Sequence, residues 1–161
     1  MHAAWVSLAA ALLGCSDAPA YLPYGAWESD RELTLATFAS DPALSAAHRA
    51  VLEDETLFGR NVQVFAARGA AVWFEGGCGE FWPYDYDVVE AAPGSLRYRT
   101  GEPGEERSIE WDDRFMYLPL ADGRAREVFR RVPLEQALEQ HPCLATALGS
   151  GRVAADAQRS R

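Results

Sequence analysis

The sequence predicts an all-β protein: an eight-stranded antiparallel up-and-down barrel, with a capping helix after the first strand and a short helix near the C-terminus. Three observations carry the prediction. Eight short runs of alternating or β-rich residues recur along the chain, separated by turn residues such as Pro93-Gly94 and Asp122-Gly123. One long connection between them shows helical spacing. Consecutive antiparallel strands leave two bare edges, and closing the sheet on itself removes both.

The first strand is read over 26–35. Residues 61–68 and 70–76 are two strands around Gly69, which requires a tight turn. The stretch Gly76-Gly77-Cys78-Gly79-Glu80-Phe81-Trp82-Pro83 reads as a long hairpin loop, because three glycines free its backbone. Its aromatics either grip a ligand at the barrel rim or fold Trp82 over the barrel end. Residues 84–91 set Tyr84, Tyr86 and Val88 against Asp85 and Asp87. Residues 95–101 set Leu96, Tyr98 and Thr100 against Ser95, Arg97 and Arg99. Residues 106–112 put Arg107, Ile109 and Trp111 on one side, and strands over 114–120 and 126–132 complete the set. In the long connection, Ser40-Asp41-Pro42 supplies a capping side chain and a first-turn proline. Leu44, Ala47, His48, Val51, Leu52 and Glu55 follow at helical spacing, so a helix is expected there, ending near Gly59. A second short helix is expected over 133–140, with Leu134, Ala137 and Leu138 on one face. An eight-stranded barrel is just wide enough inside for packed side chains or one small ligand, and the first helix would plug one end.

The 161 residues suit one domain, and 48% apolar with 24% charged residues is the composition of a packed globular chain. A net charge of −9 argues against nucleic acid as a partner, since both are negative. All basic residues are arginine, which excludes lysine Schiff bases and Walker-type phosphate binding. His48 and His141 are isolated, and neither His-Glu-x-x-His, Cys-x-x-Cys nor Gly-x-Ser-x-Gly occurs. No metal, cofactor or catalytic residue is therefore expected.

Residues 1–14 hold no Asp, Glu, Lys or Arg; their core, 3–13, is apolar except for Ser7, too short to span a bilayer as a helix, and the segment closes on Leu12-Leu13-Gly14-Cys15. This resembles the lipobox of bacterial lipoproteins. The resemblance implies lipidation of Cys15, cleavage after Gly14, and, with Ser16 following the cysteine, sorting to the periplasmic face of the outer membrane. The chain is then read as a signal peptide (1–14), a lipidated tether (15–23), a barrel domain (24–148) and a disordered tail (149–161).

Gly25-Ala26-Trp27 at the first strand resembles the Gly-x-Trp signature of lipocalins and related calycins. The resemblance implies that Trp27 closes the barrel base and that an arginine of the last strand, taken as Arg130 rather than Arg126 or Arg131, stacks across it. With Cys15 lipidated, Cys78 and Cys143 remain as an even pair in an oxidising compartment. Lipocalins often tie the C-terminal segment to the barrel by such a bond, so a Cys78–Cys143 disulfide is expected; two buried thiols are the other possibility.

The functional expectation is a non-catalytic, lipid-anchored envelope protein that binds a small apolar or amphipathic ligand, with Trp82, Tyr84, Trp111 and Tyr117 as contact residues, or that serves a structural role. The alternative is an acidic protein-binding module, such as an inhibitor of a basic envelope-directed enzyme.

Overall fold

The computed structural model describes residues 21–39, 52, 54, 58–66, 69–75, 77–84, 86–100, 105–120 and 123–149. Among them are nine strands: β1 (Gly25–Ser29), β2 (Asn61–Ala66), β3 (Gly69–Phe74), β4 (Gly77–Pro83), β5 (Asp87–Ala92), β6 (Ser95–Thr100), β7 (Glu105–Trp111), β8 (Phe115–Leu120) and β9 (Ala125–Val132). Helix α1 covers Arg31–Ala39 and α2 covers Leu134–Gln140, followed by a further helical stretch over 142–149. The expected signal peptide, Cys15 and the expected tail beyond 149 lie outside the described residues, as does most of the helix expected between Pro42 and Gly59.

All nine strands join one antiparallel sheet in the order β4-β3-β2-β1-β9-β8-β7-β6-β5. The first and last strands meet, with Trp27 opposite Arg131 and Glu28 opposite Arg130. Among the described residues the sheet nevertheless ends on two unpaired edges, β4 and β5, which are consecutive in sequence. Laid flat at ~4.8 Å per strand, those edges would stand about 38 Å apart. Yet Pro83 and Asp87 are joined through only residues 84–86, which reach about 14 Å when extended. The sheet must therefore curl, and it forms an open half-barrel whose seam runs between β4 and β5.

This corrects the closed eight-stranded barrel. The uncounted strand is β4, read from the sequence as a loop. Its glycines hide any alternation, and its extended state comes from pairing with β3, where Ala70 faces Trp82 and the register slips between Ala71 and Trp73. At Gly69 a Cβ would stand 2.4 Å from the Phe81 ring and from the Trp82 carbonyl oxygen, so only glycine lets β4 approach this closely. Both edges carry features that discourage uncontrolled pairing, Pro83 on β4 and the charges of Asp87 and Glu90 on β5.

The first strand is also shorter than expected. It stops at Ser29, and α1 begins within the stretch read as strand. Asp30 caps it, its Oδ1 accepting the Leu33 N–H at 3.0 Å. What the helix does explains why it is there. Where β1 leaves β9, the backbone of β9 loses its partner, and α1 supplies one. The Thr34 hydroxyl oxygen accepts the Val128 N–H at 2.9 Å, and the Thr37 hydroxyl oxygen accepts the Arg126 N–H at 3.1 Å. Asp30 N–H donates to the Val128 carbonyl at 2.8 Å. A buried amide left unmet would cost about 1–3 kcal/mol, so two threonines one helical turn apart do the work of a strand.

The core divides by strand parity into two layers. Inside the half-barrel, Trp27, Phe129, Met116 and Ile109 pack together with Phe65 and Ala70. Outside, Ala26, Val62, Val64 and Ala71 are covered by Ala137 of α2 and Leu144 of the 142–149 stretch. His141, between these helical segments, lies on Trp73 with ring centroids 3.9 Å apart.

Candidate functional site

The concave face near the seam holds a cavity of about 350 Å³, within the range of small-molecule sites. β2 and β3 supply one wall with Gln63, Phe65, Ala70 and Val72; β6 to β8 supply the other with Leu96, Tyr98, Ile109 and Leu118. Strand alternation explains this lining: Leu96 and Tyr98 face Ile109 and Arg107 across the ladder, so all four side chains share one face. Trp82 from β4 and Tyr84 and Tyr86 from the linker close the seam side. Leu22, only 6% exposed, enters from the N-terminal segment. That segment is held down by the Trp27 indole N–H, which donates to the Pro23 carbonyl at 2.6 Å.

Three phenols form a continuous aromatic wall. The Tyr84 and Tyr86 rings lie edge to face with centroids 5.8 Å apart, and Tyr86 lies 5.0 Å from Tyr98. The hydroxyl groups of Tyr84 and Tyr86 are buried, and neither O–H has an acceptor among the described residues. Burial pushes the Tyr84 phenol far above its ordinary range, opposed only by the Ala66 backbone. Burial, with the neighbouring Tyr24 and Tyr98, pushes Tyr86 up to about 12. All these phenols therefore stay neutral, as hydrogen-bond donors. The guanidinium of Arg107 also lines the cavity and is matched by Glu105, 2.8 Å away. Deeper in the half-barrel, Glu127 accepts hydrogen bonds from Ser29 Oγ at 2.7 Å and Asn61 Nδ2 at 2.9 Å, and burial raises its pKa.

The structure gathers some of the expected site residues and disperses others. Trp82 and Tyr84 line the cavity, although Trp82 is 52% exposed. Trp111 packs on the inner core beside Met116, away from the cavity. Tyr117 stands on the opposite face: its neighbour across the ladder is Val128, and the Arg126 guanidinium lies 5.8 Å from its ring. Parity alone separates it from Met116 and Leu118, so Tyr117 leaves the set of ligand contacts.

Trp27 is fully buried, and the arginine over its ring is Arg131, 4.6 Å from the centroid, instead of Arg130. Register decides this: Arg131 is Trp27's cross-strand partner and shares its face, whereas Arg130 points the other way and pairs with Asp30 at the start of α1. Cys143 is disulfide-bonded, but the side chains of Cys78 and Cys15 lie outside the described residues. The expected Cys78–Cys143 pairing therefore falls on a side chain outside the described residues.

The sequence reading missed Tyr86, Tyr98, Arg107 and Leu22 as site residues. The first three were visible as members of alternating runs, but only the curl of the sheet brings those runs to one cavity. No protein-family model, no curated protein and no solved structure matches this chain. What the geometry shows is a curved all-β sheet with a capping helix, which resembles a calycin-like fold.

Proposed function

We propose that this protein is a non-catalytic binding protein that holds a small apolar or amphipathic molecule on its concave face, tethered to the outer membrane through Cys15. The observation that carries this reading is the seam cavity, with its aliphatic walls and aromatic side. Apart from its three tyrosines, its described lining offers no Ser, Cys, His, Asp or Glu, which supports holding rather than transforming a ligand. Titrating tryptophan emission with medium-chain lipids, decanoate and its methyl ester among them, should give a saturable change with at least one, reported by Trp82. Val72→Phe, which fills the cavity from β3 at an overpacking cost of about 1–3 kcal/mol, should abolish that change in a chain that still folds. Emission that no lipid alters would overturn the reading. The anchor is tested separately: Cys15→Ala should leave a precursor that takes up no labelled palmitate.

A second reading is favoured by the seam itself. Trp82 on β4 and Val88 and Val89 on β5 are exposed beside unpaired strand edges, where a partner's strand could add. With a net charge of −9, such a partner would be cationic, and its capture would weaken with salt.

A further inference from the structure

We infer that the ligand of the seam cavity is an uncharged molecule with an apolar body that presents a hydrogen-bond acceptor, a carbonyl or ester oxygen, to Tyr84 and Tyr86. The inference rests on the reading of that cavity as a ligand site and adds the chemistry of what enters it.

The acceptor follows from the two phenols. Both hydroxyl groups are buried with no acceptor for the O–H among the described residues, and both side chains line the cavity. A buried O–H with nothing to donate to is a standing cost, and a ligand that meets it gains about five-fold to a hundredfold in affinity. The rest of the described lining is mostly aliphatic and aromatic, its polar groups being the Tyr98 hydroxyl, the Trp82 indole N–H, the Gln63 amide and Arg107. At the ~30 Å³ that each water occupies in the liquid, a cavity of about 350 Å³ holds about a dozen non-hydrogen atoms.

The lack of charge follows from the electrostatics. A carboxylate entering the cavity would give up its water, and the one guanidinium in the described lining is already paired with Glu105 at 2.8 Å. The chain's net charge of −9 opposes an anion further. A quaternary ammonium is disfavoured for a different reason. An aromatic cage needs ring faces held apart around the cation. Here Tyr84, Tyr86 and Tyr98 pack on one another with centroids 5.0–5.8 Å apart.

The experiment is calorimetric titration of the purified chain with four probes of similar length: methyl decanoate, decanoate, decyltrimethylammonium and dodecane. Methyl decanoate is expected to bind about ten-fold or more tightly than decanoate and decyltrimethylammonium. The double variant Tyr84→Phe/Tyr86→Phe should lose about ten-fold in affinity for the ester while its affinity for dodecane is unchanged or improved. Because neither O–H has an acceptor to lose among the described residues, the variant should melt no lower than the parent; if it fails to fold, the single variant Tyr86→Phe is read the same way. Decanoate or the ammonium binding as tightly as the ester overturns the inference and leaves the cavity reading standing. So does an ester affinity that the phenylalanines do not change. Binding of none of the four overturns both.

Discussion

Arg131 and Arg130 are adjacent in β9, and only one of them should be coupled to Trp27. The perturbation is a pair of double-mutant cycles, Trp27→Leu combined with Arg131→Gln and, separately, with Arg130→Gln. Leucine replaces alanine at Trp27 for a reason of magnitude. Trp27 is fully buried and its indole N–H donates to Pro23. Truncation to alanine would cost about 3–5 kcal/mol for the ring and about 1 kcal/mol for the hydrogen bond. That total rivals the ~5–15 kcal/mol stability of a whole domain. The guanidinium of Arg131 lies 4.6 Å from the indole centroid, but its side chain is exposed. A cation–π contact at an exposed site is worth about 0.5–1 kcal/mol, below the ~2 kcal/mol of a desolvated one. Each ~40 Å² of indole that the arginine stem covers adds about 1 kcal/mol at ~25 cal/mol per Å². Chemical denaturation followed by circular dichroism should therefore give a Trp27–Arg131 coupling of about 1–2 kcal/mol. The Trp27–Arg130 coupling should fall within the ~0.5 kcal/mol expected of sites with no shared contact. Equal couplings, or coupling to Arg130 alone, would refute the register on which the half-barrel rests.

Three further outcomes test other parts of the fold. Thr34→Val should destabilise the chain by about 1–3 kcal/mol, because it strips the acceptor from the buried Val128 N–H; Thr34→Ser should restore it, and equal hydrogen exchange at Val128 in parent and valine variant would count against α1 as the partner of β9. Gly69→Ala sets a Cβ 2.4 Å from the Trp82 carbonyl oxygen, so it should cost about 1–3 kcal/mol and lower amide protection in β4 before β9. Glu127 is an acid whose folded pKa is raised above its ordinary 4.5 by burial. The stability this gives is full below that value and is lost as pH rises through the folded pKa. Glu127→Gln should thus match the parent near pH 4 and exceed it near neutrality; parallel pH–stability curves for the two proteins would sink this account.

Some of this architecture was legible without any structure. The alternation of Leu96 with Tyr98 and of Ile109 with Trp111 marks half-buried strands, because period-two burial is a property of the strand itself. The Pro93-Gly94 turn is equally local: Gly94 has a positive φ of 80°, and a Cβ there would stand 2.7 Å from the Trp111 carbonyl oxygen. The short helix over Leu134–Gln140 was visible for the same reason. The charge of −9 and the lack of lysine narrowed the chemistry before any fold was considered.

Other features depend on pairing between residues far apart in the chain. β4 is a strand because β3 lies beside it, and its two glycines carry no strand signal of their own. Residues 31–39 are helical although their leucines and threonines read as strand; the deciding partner is the β9 backbone, about ninety residues away. Register places Arg131 on the indole and Arg130 on α1, and it sends Tyr117 outward while Met116 and Leu118 face in. A one-residue slip in pairing would reverse each of these assignments, and composition is blind to such a slip. The sequence by itself determined the all-β class, most of the strands and the apolar character of one face. Only the tertiary structure decided that the sheet stays open between β4 and β5, and that Trp82, Tyr84, Tyr86 and Tyr98 meet there. The physical reason is that local alternation sets which side a residue faces, while long-range hydrogen bonding and curl set what it faces.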